Sequence, residues 1–168
     1  MTCGYISIGS NIDKERNITA GLAALKQEFG ELQLSSLYES EPVGFVGDAF
    51  YNLVVAFESK RDVYQVAEKL RQIEVDHGRP AEAKKFSART LDLDLILYGD
   101  LIVNDAKLQI PRIDIERYAF VLEPLAEIAS DLNHPVLKIS YAALWQQMDK
   151  DKVLQRRIPF PPVSATLI

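Results

Sequence analysis

Two aspartates one residue apart, Asp92 and Asp94, sit in the run Arg89-Thr90-Leu91-Asp92-Leu93-Asp94-Leu95-Ile96-Leu97-Tyr98-Gly99. Leu91, Leu93, Leu95 and Leu97 alternate with Asp92, Asp94 and Ile96, the period of a strand, and Gly99-Asp100 predicts the turn that ends it. One face of that strand is therefore expected to be apolar and the other to carry both carboxylates. Residues two apart on a strand point the same way, roughly 7 Å apart at the backbone, so both carboxylates can reach one small volume. With head groups about 5 Å apart they repel by roughly 3 kcal/mol at an effective dielectric near 20. A half-buried pair calls for a cation. Arg89 is one candidate and Mg²⁺ the other, because oxygen ligands from a couple of carboxylates, completed by water and phosphate, suit that ion. Taken alone, Asp-x-Asp reads equally well as a solvent-facing strand edge charged for solubility.

Composition narrows the classes of function. The chain has 168 residues, 48% of them hydrophobic and 26% charged, enough for one domain with its own core. Its formal net charge of -5 includes no basic block able to track a phosphate backbone, so nucleic acid is not an expected partner. No apolar run is long enough to span a bilayer and no signal-peptide pattern opens the chain, so no membrane partner is expected and the cytoplasm is the expected compartment. The single cysteine, Cys3, fits a small core residue of the first strand. Neither histidine has a second ligand at metal spacing: His77 reads as a helix-end residue and His134 as a turn residue before Pro135.

The elements that must position the aspartates follow from periodicity. Cys3 to Ile8 predicts a strand that breaks at Gly9-Ser10-Asn11, a turn that is either a plain strand-to-helix connection or lies near a ligand. Asp13 is then expected to cap a helix with the stripe Ile18, Leu22, Leu25 and Phe29, stopped by Gly30. Leu32 to Tyr38 predicts a second strand. Ser40 to Ala49 is a loop long enough to have a job, and Phe50 to Glu58 a central strand. Asp62 caps a second helix with Val63, Val66, Ala67, Leu70 and Ile73 inward and Glu74 at the edge. Leu101 to Val103 is expected to form a hairpin with the aspartate strand. Short helices follow at Pro111 to Arg117, Phe120 to Ile128 and Tyr141 to Met148. Residues 1–168 read as one domain with an extended tail from about residue 150, where Pro159-Phe160-Pro161-Pro162 lies. The order β-α-β-β-α-β over residues 3 to 98 predicts an α+β fold of the ferredoxin-like kind, an antiparallel sheet with helices on one face and further helices added C-terminally.

Gly78-Arg79, the run Arg89-Thr90-Leu91-Asp92-Leu93-Asp94 and Phe120-Val121-Leu122-Glu123-Pro124-Leu125 together resemble the signature of the 6-hydroxymethyl-7,8-dihydropterin pyrophosphokinases of folate synthesis. The likeness begins at Tyr5-Ile6-Ser7-Ile8-Gly9-Ser10-Asn11, passes through Tyr38-Glu39-Ser40-Glu41-Pro42 and Tyr51-Asn52, and fades after about Pro135. It implies an enzyme that moves the terminal pyrophosphoryl group of ATP onto the hydroxymethyl oxygen of a reduced pterin, leaving AMP. It also implies the same architecture and small-molecule substrates; a monomer is expected over an oligomer.

The roles that the resemblance carries over are specific. Asp92 and Asp94 match the ligands of two Mg²⁺ ions, and Arg79 and Arg89 match positions that neutralise phosphate charge. Phe86 stands for a tryptophan common in the mobile loop between them, where Lys84 and Lys85 add charge. Lys107 falls where a basic residue reaches the triphosphate, although a lone lysine is ordinarily surface charge. Glu74 aligns with a site residue of no evident physical role. Phe50 and Phe120 match the two aromatics that sandwich the pterin, and Ser40, Asn52 and the backbone around Glu41 and Val43 match the groups that read its edge. A flat heterocycle needs π-faces on both sides and a few fixed donors and acceptors; either phenylalanine alone would read as core. The chain departs from the pattern at Arg112, where histidine is typical, at Tyr118, where arginine is typical with Arg117 one residue displaced, and at Ala81. Slower turnover than in members with the full set is therefore expected, as is the alternative of a relative that binds ATP or pterin without efficient transfer. A two-metal transferase for another acceptor is a third reading, against which Phe50, Asn52 and Phe120 weigh.

Overall fold

The computed structural model describes residues 1–42, 46–78 and 90–161. Strand β1 (Thr2–Ser10) runs into helix α1 (Lys14–Phe29), followed by β2 (Gln33–Leu34), β3 (Leu37–Ser40) and β4 (Phe50–Ser59). Helix α2 (Val63–Asp76) precedes β5 (Asp92–Tyr98), a small hairpin of β6 (Val103–Asn104) and β7 (Gln109–Ile110), and the short helix α3 (Asp114–Arg117). Helices α4 (Ala119–Ile128) and α5 (Tyr141–Gln147), a 3₁₀ turn at Lys150–Lys152 and β8 (Gln155–Ile158) complete the order. The main sheet runs β5-β1-β4-β3-β8, with β2 also on β4, and every pairing is antiparallel. This is a mixed fold of an antiparallel sheet and helices.

Strand alternation sends Ile6, Ile8, Leu53, Val55, Leu91, Leu93 and Leu95 into one core, shared with Ile18 and Leu25 of α1 and Val66, Leu70 and Ile73 of α2. A second core, on the other face, joins Val54 and Ile96 to Val121, Leu122 and Leu125 of α4 and Tyr141 of α5. The helix starts differ in mechanism. Asp62 caps α2 by accepting from the amides of Tyr64 and Gln65, and Gln65 returns a bond to the Asp62 amide. Asp13 occupies the first position before α1 with φ 42° and makes no side-chain cap; Asn17 Nδ2 donates instead to the Ile12 carbonyl at 2.6 Å. Mid-helix Gly21 is explained by close approach, since a Cβ there would meet Leu91 Cδ1 at 2.9 Å.

Four local expectations are revised. Between Tyr5 and Ile6 the register with β5 slips by one residue, so Tyr5 faces Leu97 but Ile6 faces Leu95. This bulge turns Leu97 into the second core beside Ile96, ending the single apolar face expected over Leu91 to Leu97. The segment Leu32 to Tyr38 is two short strands: the Ser35 amide donates to the Val54 carbonyl while its hydroxyl accepts from the Val54 amide, substituting a side chain for the main-chain ladder. Val103–Asn104 pairs with Gln109–Ile110 and not with β5, because Asp105 accepts from the amides of Lys107 and Leu108 and closes a local turn. Beyond residue 150 the chain is extended over Gln155–Ile158, where it docks as the strand next to β3.

Candidate active site

The face opposite the α1 and α2 layer carries the polar residues singled out by type and spacing. With Leu93 and Leu95 turned into the first core, Asp92 and Asp94 project from the other side of β5. Register then sets their neighbours. Asp92 lies beside Gly9, Gly9 beside Asn52, and Asn52 beside Tyr38, one row across β5, β1, β4 and β3. Asp94 lies beside Ser7 and Ser7 beside Val54 in the next row. Gly9 leaves this floor bare: a Cβ there would come within 2.9 Å of Asn52 Nδ2 and 3.7 Å of Phe50 Cδ1. Ser40 and Asn52 are both buried, and the Ser40 hydroxyl donates to Asn52 Oδ1 at 2.5 Å, which orients the amide. Phe50, half-buried, is on the same face of β4 as Asn52.

Phe120 enters the second core from the first turn of α4, and its ring stacks on Tyr118 with centroids 5.0 Å apart and planes at 16°. That turn is braced from the C-terminal strand, where Gln155 Nε2 donates to the Ala119 carbonyl at 3.0 Å and to Glu123 Oε1 at 2.8 Å. The neighbouring loop is tied to the same segment by the Glu41 amide, which donates to the Leu154 carbonyl.

A cleft of about 1150 Å³ opens between α2, β5 and the β6–β7 hairpin, lined among others by Glu74, Asp94, Lys107 and Arg112. The hairpin is latched to α2 by the Tyr64 hydroxyl, which donates to Asp105. Arg112 reaches between acids, with Nη1 4.0 Å from Asp94 Oδ1 and Nη2 3.4 Å from Asp114 Oδ2. Burial opposes its charge, but the carboxylates of Asp94 and Asp114 outweigh that and hold the guanidinium more firmly protonated than usual. Here is a cation beside the aspartate pair that spacing alone did not indicate. Glu74 is buried, and its Oε2 accepts from the Leu93 amide at 2.8 Å. Arg79, Phe86, Arg89 and Val43, and Ala81 with them, lie outside the described residues.

Among the described residues no three His, Cys, Asp or Glu side chains cluster as a metal site. The donor set nevertheless fits Mg²⁺, which takes one or two carboxylates and leaves its other positions to water and phosphate. Three contributors were not evident from type and spacing. Gly9 shapes the floor; the Ser10 hydroxyl donates to the Thr90 carbonyl at 2.5 Å, pinning the start of the aspartate strand; and Asn11 Nδ2 donates to the Asp48 carbonyl at 3.2 Å, holding the loop before Phe50. The run Gly9-Ser10-Asn11 was visible as a unit, but its long-range partners were not.

Residues 5–130 match the family model for 7,8-dihydro-6-hydroxymethylpterin-pyrophosphokinase. The chain belongs to that family. A 2-amino-4-hydroxy-6-hydroxymethyldihydropteridine pyrophosphokinase of Haemophilus influenzae is 36% identical over 139 residues, covering 80% of this chain and 86% of that protein. Its namesake in Pseudomonas aeruginosa is 34% identical over 135 residues, 78% and 83% of the two chains. A folic acid synthesis protein of Pneumocystis carinii is 34% identical over 93% of this chain, which spans only 21% of it. In structure, a Plasmodium falciparum HPPK-DHPS chain superposes with a TM-score of 0.69 at 12% identity, over 87% of this chain and 44% of that one, a likeness of fold alone. With membership comes the activity: an ATP-dependent diphosphotransferase of folate biosynthesis that passes pyrophosphate to hydroxymethyldihydropterin.

Proposed function

We propose that the reaction takes place where the cleft meets the row of Asp92, Gly9 and Asn52. The observation that carries this is the double position of the aspartate pair, since Asp94 lines the cleft while Asp92 shares a row with Asn52. ATP lies in the cleft against Lys107, Arg112 and the neighbourhood of Glu74, with Arg79, Arg89 and Phe86 as further candidates for binding its phosphates. The reduced pterin lies between Phe50 and Phe120, its edge read by Ser40, Asn52 and the backbone at Glu41 and Val43. Asp92 and Asp94 hold two Mg²⁺ ions, which when bound neutralise the triphosphate and polarise the transferring group. The hydroxymethyl oxygen attacks the β-phosphorus, the bond from that phosphorus to the α–β bridging oxygen breaks, AMP departs, and the hydroxyl proton passes to solvent. Positioning and charge, more than covalent chemistry, are what the protein supplies.

The order β5-β1-β4-β3, with α1 and α2 together on one face, supports a ferredoxin-like architecture extended by α3 to α5 and β8. Residues 1–168 are then one pyrophosphokinase-like domain. A monomer in the cytoplasm is the setting we propose, in keeping with the lone cysteine, Cys3, and the ordinary acidic composition; no described helix is long and apolar enough to cross a membrane. Incubation with ATP, Mg²⁺ and reduced hydroxymethylpterin should release AMP and pterin diphosphate. Release of ADP, or of AMP independent of the pterin, would overturn the reading.

A further inference from the structure

We propose that Glu74 is a positioning residue for the carboxylate pair, acting through the peptide between them; this rests on the reading that Asp92 and Asp94 hold the metal. Among the described residues β5 is the edge strand on its side of the sheet and pairs only with β1, so alternate amides on its outer edge meet no described strand. One of these is the amide of Leu93, the residue separating Asp92 from Asp94. It is met at 2.8 Å by Glu74 Oε2, and both residues are buried, Glu74 at 6% exposed. A buried amide left without an acceptor would be costly.

The acceptor is itself held. Glu74 sits in the last turn of α2, whose other end is fixed by the Asp62–Gln65 capping box and whose face is packed through Val66, Leu70 and Ile73 into the first core. Leu93 is anchored into that same core by its side chain, 4% exposed. The peptide is thus gripped by its amide on the edge and its side chain on one face, leaving Asp92 and Asp94 projecting from the other. Without the Glu74 bond the peptide between the carboxylates would be held only by β1 and by the Leu93 side chain, and its outer edge would lose its fixed partner.

The test uses Mn²⁺ as a probe, with a non-hydrolysable ATP analogue and electron paramagnetic resonance, on Glu74→Ala and Glu74→Gln. Glu74→Ala should weaken Mn²⁺ binding by about 10- to 100-fold, as loss of an outer-shell partner does elsewhere. It should also speed hydrogen exchange at the Leu93 amide and leave pterin affinity unchanged. Glu74→Gln keeps a carbonyl oxygen in the same place and should restore Mn²⁺ binding and amide protection. A merely structural residue would lower metal and pterin affinity together. Glu74→Ala with wild-type Mn²⁺ affinity, or Glu74→Gln as weak as Glu74→Ala, would overturn the proposal. If Glu74→Ala does not fold, Glu74→Gln decides alone, its retained or lost Mn²⁺ affinity separating acceptor from charge. Mn²⁺ binding in the native protein that ignores Asp92→Ala and Asp94→Ala would sink the metal-site reading instead.

Discussion

At the scale of single residues, Arg112 is not left without a carboxylate when either aspartate is removed. Arg112 keeps Asp114 when Asp94 is lost, and keeps both partners when Asp92 is lost. Asp92→Ala and Asp94→Ala should therefore each abolish transfer while the thermal melt stays close to that of the native protein, because each relieves repulsion but strips a ligand. Near-normal turnover of either variant at ordinary Mg²⁺ would remove the pair from the site. Tyr118 offers a subtler case. On the proposed reading, arginine at that position would add charge for the phosphates and should raise the transfer rate, but it would end the parallel stack on Phe120. Tyr118→Arg is thus expected to gain in kcat and lose in pterin affinity, the second effect being about 0.5–1.5 kcal/mol on the scale of an aromatic pair; steady-state kinetics on both substrates would separate the two, and no gain in kcat would mean that Arg112 and Arg117 already supply the charge. His134 belongs to stability. Its Nδ1 accepts from the amides of Val136 and Leu137 at 3.1 Å, so the ring is held neutral; burial lowers its pKa, and Glu116 opposes only in part. The unfolded chain then takes up this proton first, so stability is full above a pH of about 6.5 and declines as pH falls through the lower folded value. Urea melts between these limits should show the decline in the native protein and its absence in His134→Asn; stability that rises on acidification would contradict the assignment.

At the scale of elements, β1 does more than pair with its neighbours. It lies between β5 and β4, so its outward residues separate the carboxylates from Asn52, and the residue level with both is Gly9. Gly9→Ala would press a methyl group to 2.9 Å from Asn52 Nδ2, an amide already fixed by Ser40, so one of them must move. Weaker pterin binding with nearly unchanged ATP binding is the expected outcome in calorimetry, and equal losses for both ligands would mean that the strand itself had shifted. Sequence periodicity located β1, β4, α2 and β5 well, because each has one face against a core and an apolar pattern to match. It failed where hydrogen bonding outside the pattern intervened: at Ser35, whose side chain interrupts a strand, and at Ile96, where a bulge turns the next leucine over.

At the scale of the whole molecule, the C-terminal strand reaches the elements proposed to hold the pterin. β8 extends the sheet beyond β3, Arg156 reaches Glu39 at 2.9 Å, and Gln155 braces the turn that carries Phe120. A chain ending at Leu154 should still fold, but should lose about 1–3 kcal/mol in denaturant titrations, since the ladder groups it uncovers can bond to water. Its pterin affinity should fall more than its ATP affinity; unchanged pterin binding would show that Phe120 needs no brace. Residue types and spacing alone determined the alternating aspartate strand, the helix stripes, the mixed class of fold and, through the runs at Tyr5 to Asn11, Arg89 to Asp94 and Phe120 to Leu125, the family. These are local patterns, repeated within a few residues, and they survive without knowledge of what lies across the sheet. Only the tertiary structure decided that Arg112 is a cation beside Asp94, that Glu74 answers the Leu93 amide, that Gly9 is the floor between Asp92 and Asn52, and that the tail contributes a strand before Pro159. Each of these joins residues far apart in the chain, and such pairings follow from register and packing, which no local spacing encodes.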